Sequence, residues 1–250
     1  MNKFFEHLSK IEFAVTTACT GKCKHCQNGD QPRRAEHIDA ETAVRSLKAI
    51  CGKYRIKTVM TFGGEPLLYP DVVCAIHRAA AEAGTAKRQV ITNGFFSEDR
   101  ERMKEVVFSL SESGVNDLLL SVDAFHQETI PLRPVMYFAG CAVDAGIPVR
   151  LQPAWLFGRD DVNPYNVKTR EILGSFSGLD IPEGEGNVIF PSGNALKYLK
   201  EYFSENVEPS SPYEEDPEDV RTVSFEANGD VLNGNVYEDD ILDIIRDYRP

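Results

Sequence analysis

Short apolar runs alternate with stretches of helical periodicity about six times between residues 11 and 203, which confines the chain to a parallel sheet with helices outside it. The strand candidates are "IEFAVTT" (11–17), "KTVMTFGG" (57–64), "RQVITNG" (88–94), "DLLLSVDA" (117–124), "IPVRLQPA" (147–154) and "GNVIFPSG" (186–193). Their Val, Ile and Leu content suits strands buried on both faces. Between the first two, "DAETAVRSLKAICGKYR" sets Val44, Leu47, Cys51 and Tyr54 at helical spacing behind Asp39, a good N-cap. Asp71 and Ser97 are expected to cap the next two helices, with Gly84 and Gly114 as stops, and a further helical stretch ends near Gly146. The last two helix candidates lie around "NVKTREILGSF" and "NALKYLKEYF".

A doubly wound sheet and a barrel both satisfy this alternation. In either, the loops beyond the C-terminal ends of the strands form the ligand face. Prolines, serines and carboxylates cluster without apolar periodicity in 204–220, which reads as an acidic linker. The expected organisation is therefore a main unit over 1–203, that linker, and a C-terminal hairpin and helix over 221–250, the hairpin turning at Asn228-Gly229.

Charge narrows the partners. Lys and Arg number 27 against 39 Asp and Glu, a net charge of −12, so the average surface repels phosphate backbones and anionic lipids. Neither nucleic acid nor membrane is an expected partner. No apolar run reaches the roughly 18 residues of a membrane span, and "MNKFFEHLSK" lacks the apolar core of a secretory signal. A cytoplasmic protein is expected. All six cysteines lie within the first 141 residues, three of them bunched in one loop, which suits reduced thiols better than a secreted disulfide framework.

That loop carries Cys19, Cys23 and Cys26 in a C-x3-C-x2-C spacing, with Gly21 expected to let the backbone turn. A structural zinc site normally closes at four ligands, and His25 or His37 is available as a fourth. Three thiolates alone suit a four-iron four-sulfur cluster with one iron left open to a small molecule.

The spacing, with the aromatic His25 before the last cysteine, resembles the cluster loop of the radical S-adenosylmethionine (radical SAM) enzymes. The likeness continues in order at later strand ends. "GGEP" (Gly63, Gly64, Glu65, Pro66) is similar to the family segment that meets the methionyl amino group, "TNG" (Thr92, Asn93, Gly94) follows the third strand, and "SVD" (Ser121 to Asp123) stands where the family binds ribose or carboxylate. The sixth strand resembles the adenine-flanking segment, with Val188 or Ile189 supplying an apolar face. There Asn194 replaces the arginine of the family's Gly-Arg-Ala variant. Arg150 is a candidate for the cofactor carboxylate, or for a salt bridge with a local carboxylate.

The resemblance implies a partial (β/α)6 TIM-type barrel, a 4Fe-4S cluster on Cys19, Cys23 and Cys26, and S-adenosylmethionine as cofactor. It also implies a reducing electron donor such as flavodoxin or ferredoxin. One electron would split the sulfonium, and the deoxyadenosyl radical would take hydrogen from a substrate. Beyond residue 220 the order of hairpin and helix resembles a SPASM-type extension without its cysteines, so no auxiliary cluster is expected and redox-neutral outcomes gain weight. This tail favours a peptide or other small polar substrate. A nucleotide or modified-base substrate is the alternative, and a non-catalytic iron–sulfur or zinc sensing module a third reading. His126, Gln127, Trp155, Arg159, Asp160, Asp161 and Tyr165 lie in loops expected at the mouth. Of these His126, as proton donor or helix cap, and Tyr165 are the catalytic candidates. Cys141 is a thiol donor in principle, but it shares an apolar helical stripe with Phe138, Ala142 and Ala145, as a buried structural cysteine would.

Overall fold

The computed structural model describes residues 2–203 and 214–250. Its elements run β1 (Lys10–Ala14), α1 (Ala40–Cys51), β2 (Thr58–Phe62), α2 (Pro70–Glu82), β3 (Lys87–Thr92), α3 (Arg100–Glu112), β4 (Asp117–Leu120) and α4 (Ala124–Gln127). They continue through α5 (Leu132–Asp144), β5 (Val149–Leu151), β6 (Ala154–Trp155), α6 (Pro164–Gly174), β7 (Asn187–Val188) and α7 (Gly193–Tyr198). After residue 213 come β8 (Thr222–Phe225), β9 (Asp230–Val231), β10 (Gly234–Asn235) and α8 (Ile241–Asp247).

Strand order separates barrel from doubly wound sheet. The main sheet runs β10-β9-β8-β1-β2-β3-β4-β5, with β1 to β5 parallel and each beside its successor. A doubly wound sheet reverses direction at a switch point, and this one does not. The crossovers among β1 to β5 therefore place their helices on one side, as the partial barrel requires.

Register sorts the side chains onto two faces. Ile11 pairs with Val59 and Val223, and Phe13 with Thr61 and Phe225, all fully buried. Together with Val90, Leu118, Leu120, Val149 and Leu151 they meet Leu47 and Ile50 of α1, Ile76 of α2, Leu110 of α3 and Phe138 of α5 in one core. Each such side chain contributes roughly 1.5–3 kcal/mol by leaving water. The Phe13 and Phe225 rings stack at 4.6 Å. On the inner face the same register aligns Ser224, Glu12, Met60, Gln89 and Asp117, with Arg150 one pair further along, a row polar except at Met60 where the outer face is largely apolar.

Two strand expectations change. The sixth strand is reduced to β7 and lies outside the main sheet, pairing in parallel with β6. Pro153, which has no N–H to donate, separates β5 from β6 and breaks the ladder there, while Leu151 still bridges to Glu183. At the opposite edge β8 pairs in parallel with β1, so the predicted hairpin strand extends the main sheet. Its turn does fall at Asn228-Gly229, with Gly229 at φ +88°. The acidic stretch read as a linker lies, over 204–213, outside the described residues.

Helix ends follow local chemistry. Asp39 caps α1 by accepting from the Thr42 N–H at 2.8 Å. Asp71 and Ser97 are not the caps expected of them. Tyr69 precedes α2 because Pro70, with φ already helical, fixes its first residue and leaves Asp71 in the first turn. Asp99 caps α3 through the Glu101 N–H, while Ser97 accepts from the Asp99 N–H just outside. Gly84 and Gly114 stop α2 and α3 in the left-handed region, as predicted. Cys51, Cys74 and Cys141 are free thiols on the outer helices, packed in or against the core.

Candidate active site

The cysteine loop leaves the C-terminal end of β1 and is pinned by backbone. The Gly64 N–H donates to the Thr16 carbonyl at 2.8 Å and the Glu65 N–H to the Ala18 carbonyl at 2.7 Å. A Cβ on Gly64 would overlap the Ala18 carbonyl oxygen, and one on Gly63, at φ +133°, would press on the Thr16 carbonyl. The two glycines therefore admit the cysteine loop itself, where a ligand was expected. Gly21 is not in the left-handed region; a Cβ there would stand 2.9 Å from Ile130 Cδ1 and 3.3 Å from Cys23 Sγ, so its role is to leave space.

Glu65 joins three motifs. Its fully buried carboxylate accepts from the Thr92 hydroxyl at 2.7 Å, the Asn93 N–H at 2.8 Å and the Leu67 N–H at 2.9 Å. Burial pushes its carboxyl up to about 7 against these three donors. Three of about four acceptor positions are thus filled internally, with one left on Oε2. Pro66 is buried and starts a short 3-10 turn behind it. Asn93 turns toward the loop, its amide donating to Thr20 Oγ1 at 3.1 Å and lying 3.7 Å from Cys19 Sγ.

The thiols lie close enough for Cys23 to influence both neighbours. Burial first, then the Glu65 charge and Cys23, push Cys19 up to about 12; burial also raises Cys26. Such thiols stay protonated until a metal displaces the proton.

Beyond β4, Asp123 is fully buried and its four acceptor positions are filled from within the chain: by the N–H groups of Phe125, His126 and Ala154 at 2.9 Å each, and by His126 Nδ1 at 2.7 Å. Although burial opposes the charge, the His126 imidazole holds its carboxyl well below the usual carboxylate range. These four bonds make Asp123 an anchor for the turn after β4. Ser121 alone in that motif keeps a half-buried hydroxyl with no partner among the described residues. His126 itself stands edge-on to His25, ring centroids 4.8 Å apart, and His126, His25 and Cys23 bring ligand atoms within 4.8 Å of one another.

Of the two readings of Arg150, the structure shows the salt bridge. Arg150 makes a two-pronged ion pair with Asp117 at 2.8–3.1 Å, beside Lys87 and Gln89, toward the N-terminal ends of the strands and away from the cysteine loop. Trp155, expected at the mouth, is a core residue whose indole N–H donates to the Glu185 carbonyl. Tyr165 stacks on Phe125 at 4.4 Å, behind His25. Arg159 pairs with Glu183, and Asp160 and Asp161 are exposed. Val188 is half exposed while Ile189 packs into a second small core with Phe125 and Leu156, leaving Val188 the available apolar face. His37 lies against Tyr69, 4.3 Å between centroids, and is not part of the histidine group at Cys23.

One residue missed as a functional contact is Asn194. Its N–H donates to the Cys26 carbonyl at 2.9 Å, and its amide to the Cys23 carbonyl and Asp30 at 3.2 Å. Gly193, at φ +46°, permits this approach, since a Cβ there would overlap the Gln27 carbonyl. The segment expected beside adenine therefore also clamps the cysteine loop. These partners are far apart in sequence, so only the deviation from the family's arginine marked the position.

The residues present fit a cluster and its ligand. Three cysteines share one loop, with Cys23 near enough to bear on the other two, and His25 Nδ1, Gln127 Nε2 and Ser192 Oγ are among the buried polar atoms that lack partners among the described residues. Orphaned groups of this kind mark a place where a bound molecule completes the hydrogen bonding.

Comparisons with known proteins agree. The model of the radical SAM superfamily matches residues 13–138, half of the chain. A GTP 3',8-cyclase of Chlorobaculum tepidum is 27% identical over 127 residues, 51% of this chain and 36% of that protein. A probable GTP 3',8-cyclase of Methanopyrus kandleri is 26% identical over 218 residues, 85% of this chain and 66% of that one. The chain thus spans between about a third and two thirds of the length of these curated relatives. Among solved structures, SuiB of Streptococcus suis bound to its precursor peptide SuiA superposes with a TM-score of 0.60 at 14% identity, covering 97% of this chain and 68% of SuiB. Native anSMEcpe with bound AdoMet gives 0.60 at 12% identity, covering 95% and 80%. At such identities these neighbours speak for the fold.

Proposed function

Because the chain belongs to the radical SAM superfamily, whose enzymes work with a 4Fe-4S cluster and S-adenosylmethionine, we propose that its substrate is a nucleotide or a closely similar small polar molecule. The observation that carries this reading is the match to proteins named GTP 3',8-cyclase, at 26% identity over 85% of the chain in one case. The preference for a peptide drawn from the tail has no support among these relatives.

When bound, the cluster and cofactor supply one-electron cleavage chemistry and a hydrogen-abstracting radical. The chain's own residues hold and shield them. Cys19, Cys23 and Cys26 would ligate three irons; Asn93 and Asn194 fix the loop from two sides. The free position on Glu65, the Ser121 hydroxyl and the exposed face of Val188 are the contacts left for the cofactor. The Asp123–His126 pair closes the floor and keeps His126 oriented toward Cys23. Reduced flavodoxin or ferredoxin is the proposed electron source.

The test is a substrate survey with reconstituted protein, reductant and cofactor under anaerobic conditions. Nucleoside triphosphates are expected to raise deoxyadenosine formation above the substrate-free level, with deuterium from labelled ribose appearing in it. Stimulation by peptides and by no nucleotide would overturn the reading.

A further inference from the structure

His126 has one ring nitrogen held by a carboxylate and the other set beside the Cys23 sulfur. Asp123 accepts from Nδ1 at 2.7 Å, which leaves Nε2 directed at the group formed with His25 and Cys23. A carboxylate fixing one imidazole nitrogen so that the other meets a metal is a recurrent arrangement in protein metal sites. His25 adds a second, independent sign. Its Nδ1 is shielded from solvent and has no hydrogen-bond partner among the described residues. Cys23 supplies the sulfur, buried at 8% exposure.

We propose that, when the cluster is absent, Cys23, His25 and His126 bind a single Zn2+ ion, and that this ion and the cluster exclude one another through their shared Cys23. One thiolate and two imidazoles are the donor set of a three-ligand zinc site, with water completing the tetrahedron. Zinc bond lengths place ligand atoms about 3.3–3.8 Å apart, and the present spread of up to 4.8 Å closes by small side-chain rotations. The Asn93 amide lies 3.7 Å from Cys19 Sγ, and neither Cys19 nor Cys26 belongs to the group. On binding, the Cys23 thiol proton and the second N–H proton of the His126 imidazolium leave to solvent, and Asp123 stays ionised against the imidazole.

This site differs from zinc held by the three cysteines, and the difference can be measured. Cluster-free full-length protein is titrated anaerobically with Zn2+ in competition with a chromophoric chelator, for wild type and for C19A, C23A, C26A, H25F and H126Q. Wild type is expected to bind one equivalent; C23A, H25F and H126Q weaken binding by about tenfold or more, while C19A and C26A stay within about twofold. Co2+ in place of zinc should show the absorption of a single thiolate. No stoichiometric zinc in wild type, or affinity lost in C19A or C26A and kept in H126Q, overturns the proposal. Wild type preloaded with Zn2+ should then fail to take up iron and sulfide, and iron uptake unaffected by the zinc overturns the exclusion. Zinc-free wild type given iron and sulfide tests the cluster separately, so failure of one reading is not confused with failure of the other.

Discussion

At the scale of single residues, buried polar groups decide what this chain tolerates. His77 on α2 is fully buried, paired through Nε2 to the Thr61 hydroxyl at 2.9 Å, and burial lowers it from 6.5 to about 3. The unfolded chain therefore binds more protons than the folded one between pH 3 and 6.5, and stability is lost as pH falls through that window. The loss attributable to this group is on the order of 3–5 kcal/mol at its limit. Chemical denaturation of H77Q between pH 4 and 8 should show a shallower decline below pH 6.5 than wild type; parallel curves would contradict the assignment. Asn194 acts at the same scale on the site. N194A removes the amide bonds to the Cys23 carbonyl and to Asp30, at a cost of about 1–3 kcal/mol. Reduced iron per chain after reconstitution and desalting is expected, with helical circular dichroism unchanged.

At the scale of elements, glycine separates two kinds of requirement. Gly64 lies where the end of β2 meets the cysteine loop backbone to backbone, and a methyl there has nowhere to go. Gly84 stops α2 at φ +74° in open space, so a methyl meets only its own conformational cost. G84A is expected to lose about 1 kcal/mol and G64A several times that, with the loop over 15–38 opened to protease. Equal thermal shifts would show that the loop is not held by this contact. Legibility followed the same division. Helix α1 and its Asp39 cap were readable because the signals are local, and so was the Asn228-Gly229 turn. Strand β7 was overestimated because Pro153 acts on its partner, and the pairing of β8 with β1 was hidden because it joins residues 212 apart.

At the scale of the molecule, the sheet order from β8 through β5 brings four separate strand ends around one cysteine loop. The motif types at those ends were visible in sequence, but their division of labour was not. Gly64, Glu65 and Asp123 look like ligand contacts in one dimension, and in three they also serve as internal frame, because their contacts close onto Ala18, Thr92 and His126. Of the two readings open for Arg150 the salt bridge is the one formed, since Asp117, two positions toward the strand starts from its pairing partner Leu119, captures it. The cysteines were the readable part, as their spacing is local and their chemistry is shared by few other loops. The direct test of the whole account is one anaerobic reconstitution of wild type and C23A with iron and sulfide, followed by reductant and S-adenosylmethionine. Wild type is expected to hold about four irons and to form deoxyadenosine, and C23A to do neither while staying folded. Wild type without cluster absorbance or deoxyadenosine, or C23A equal to it in both, would contradict the account.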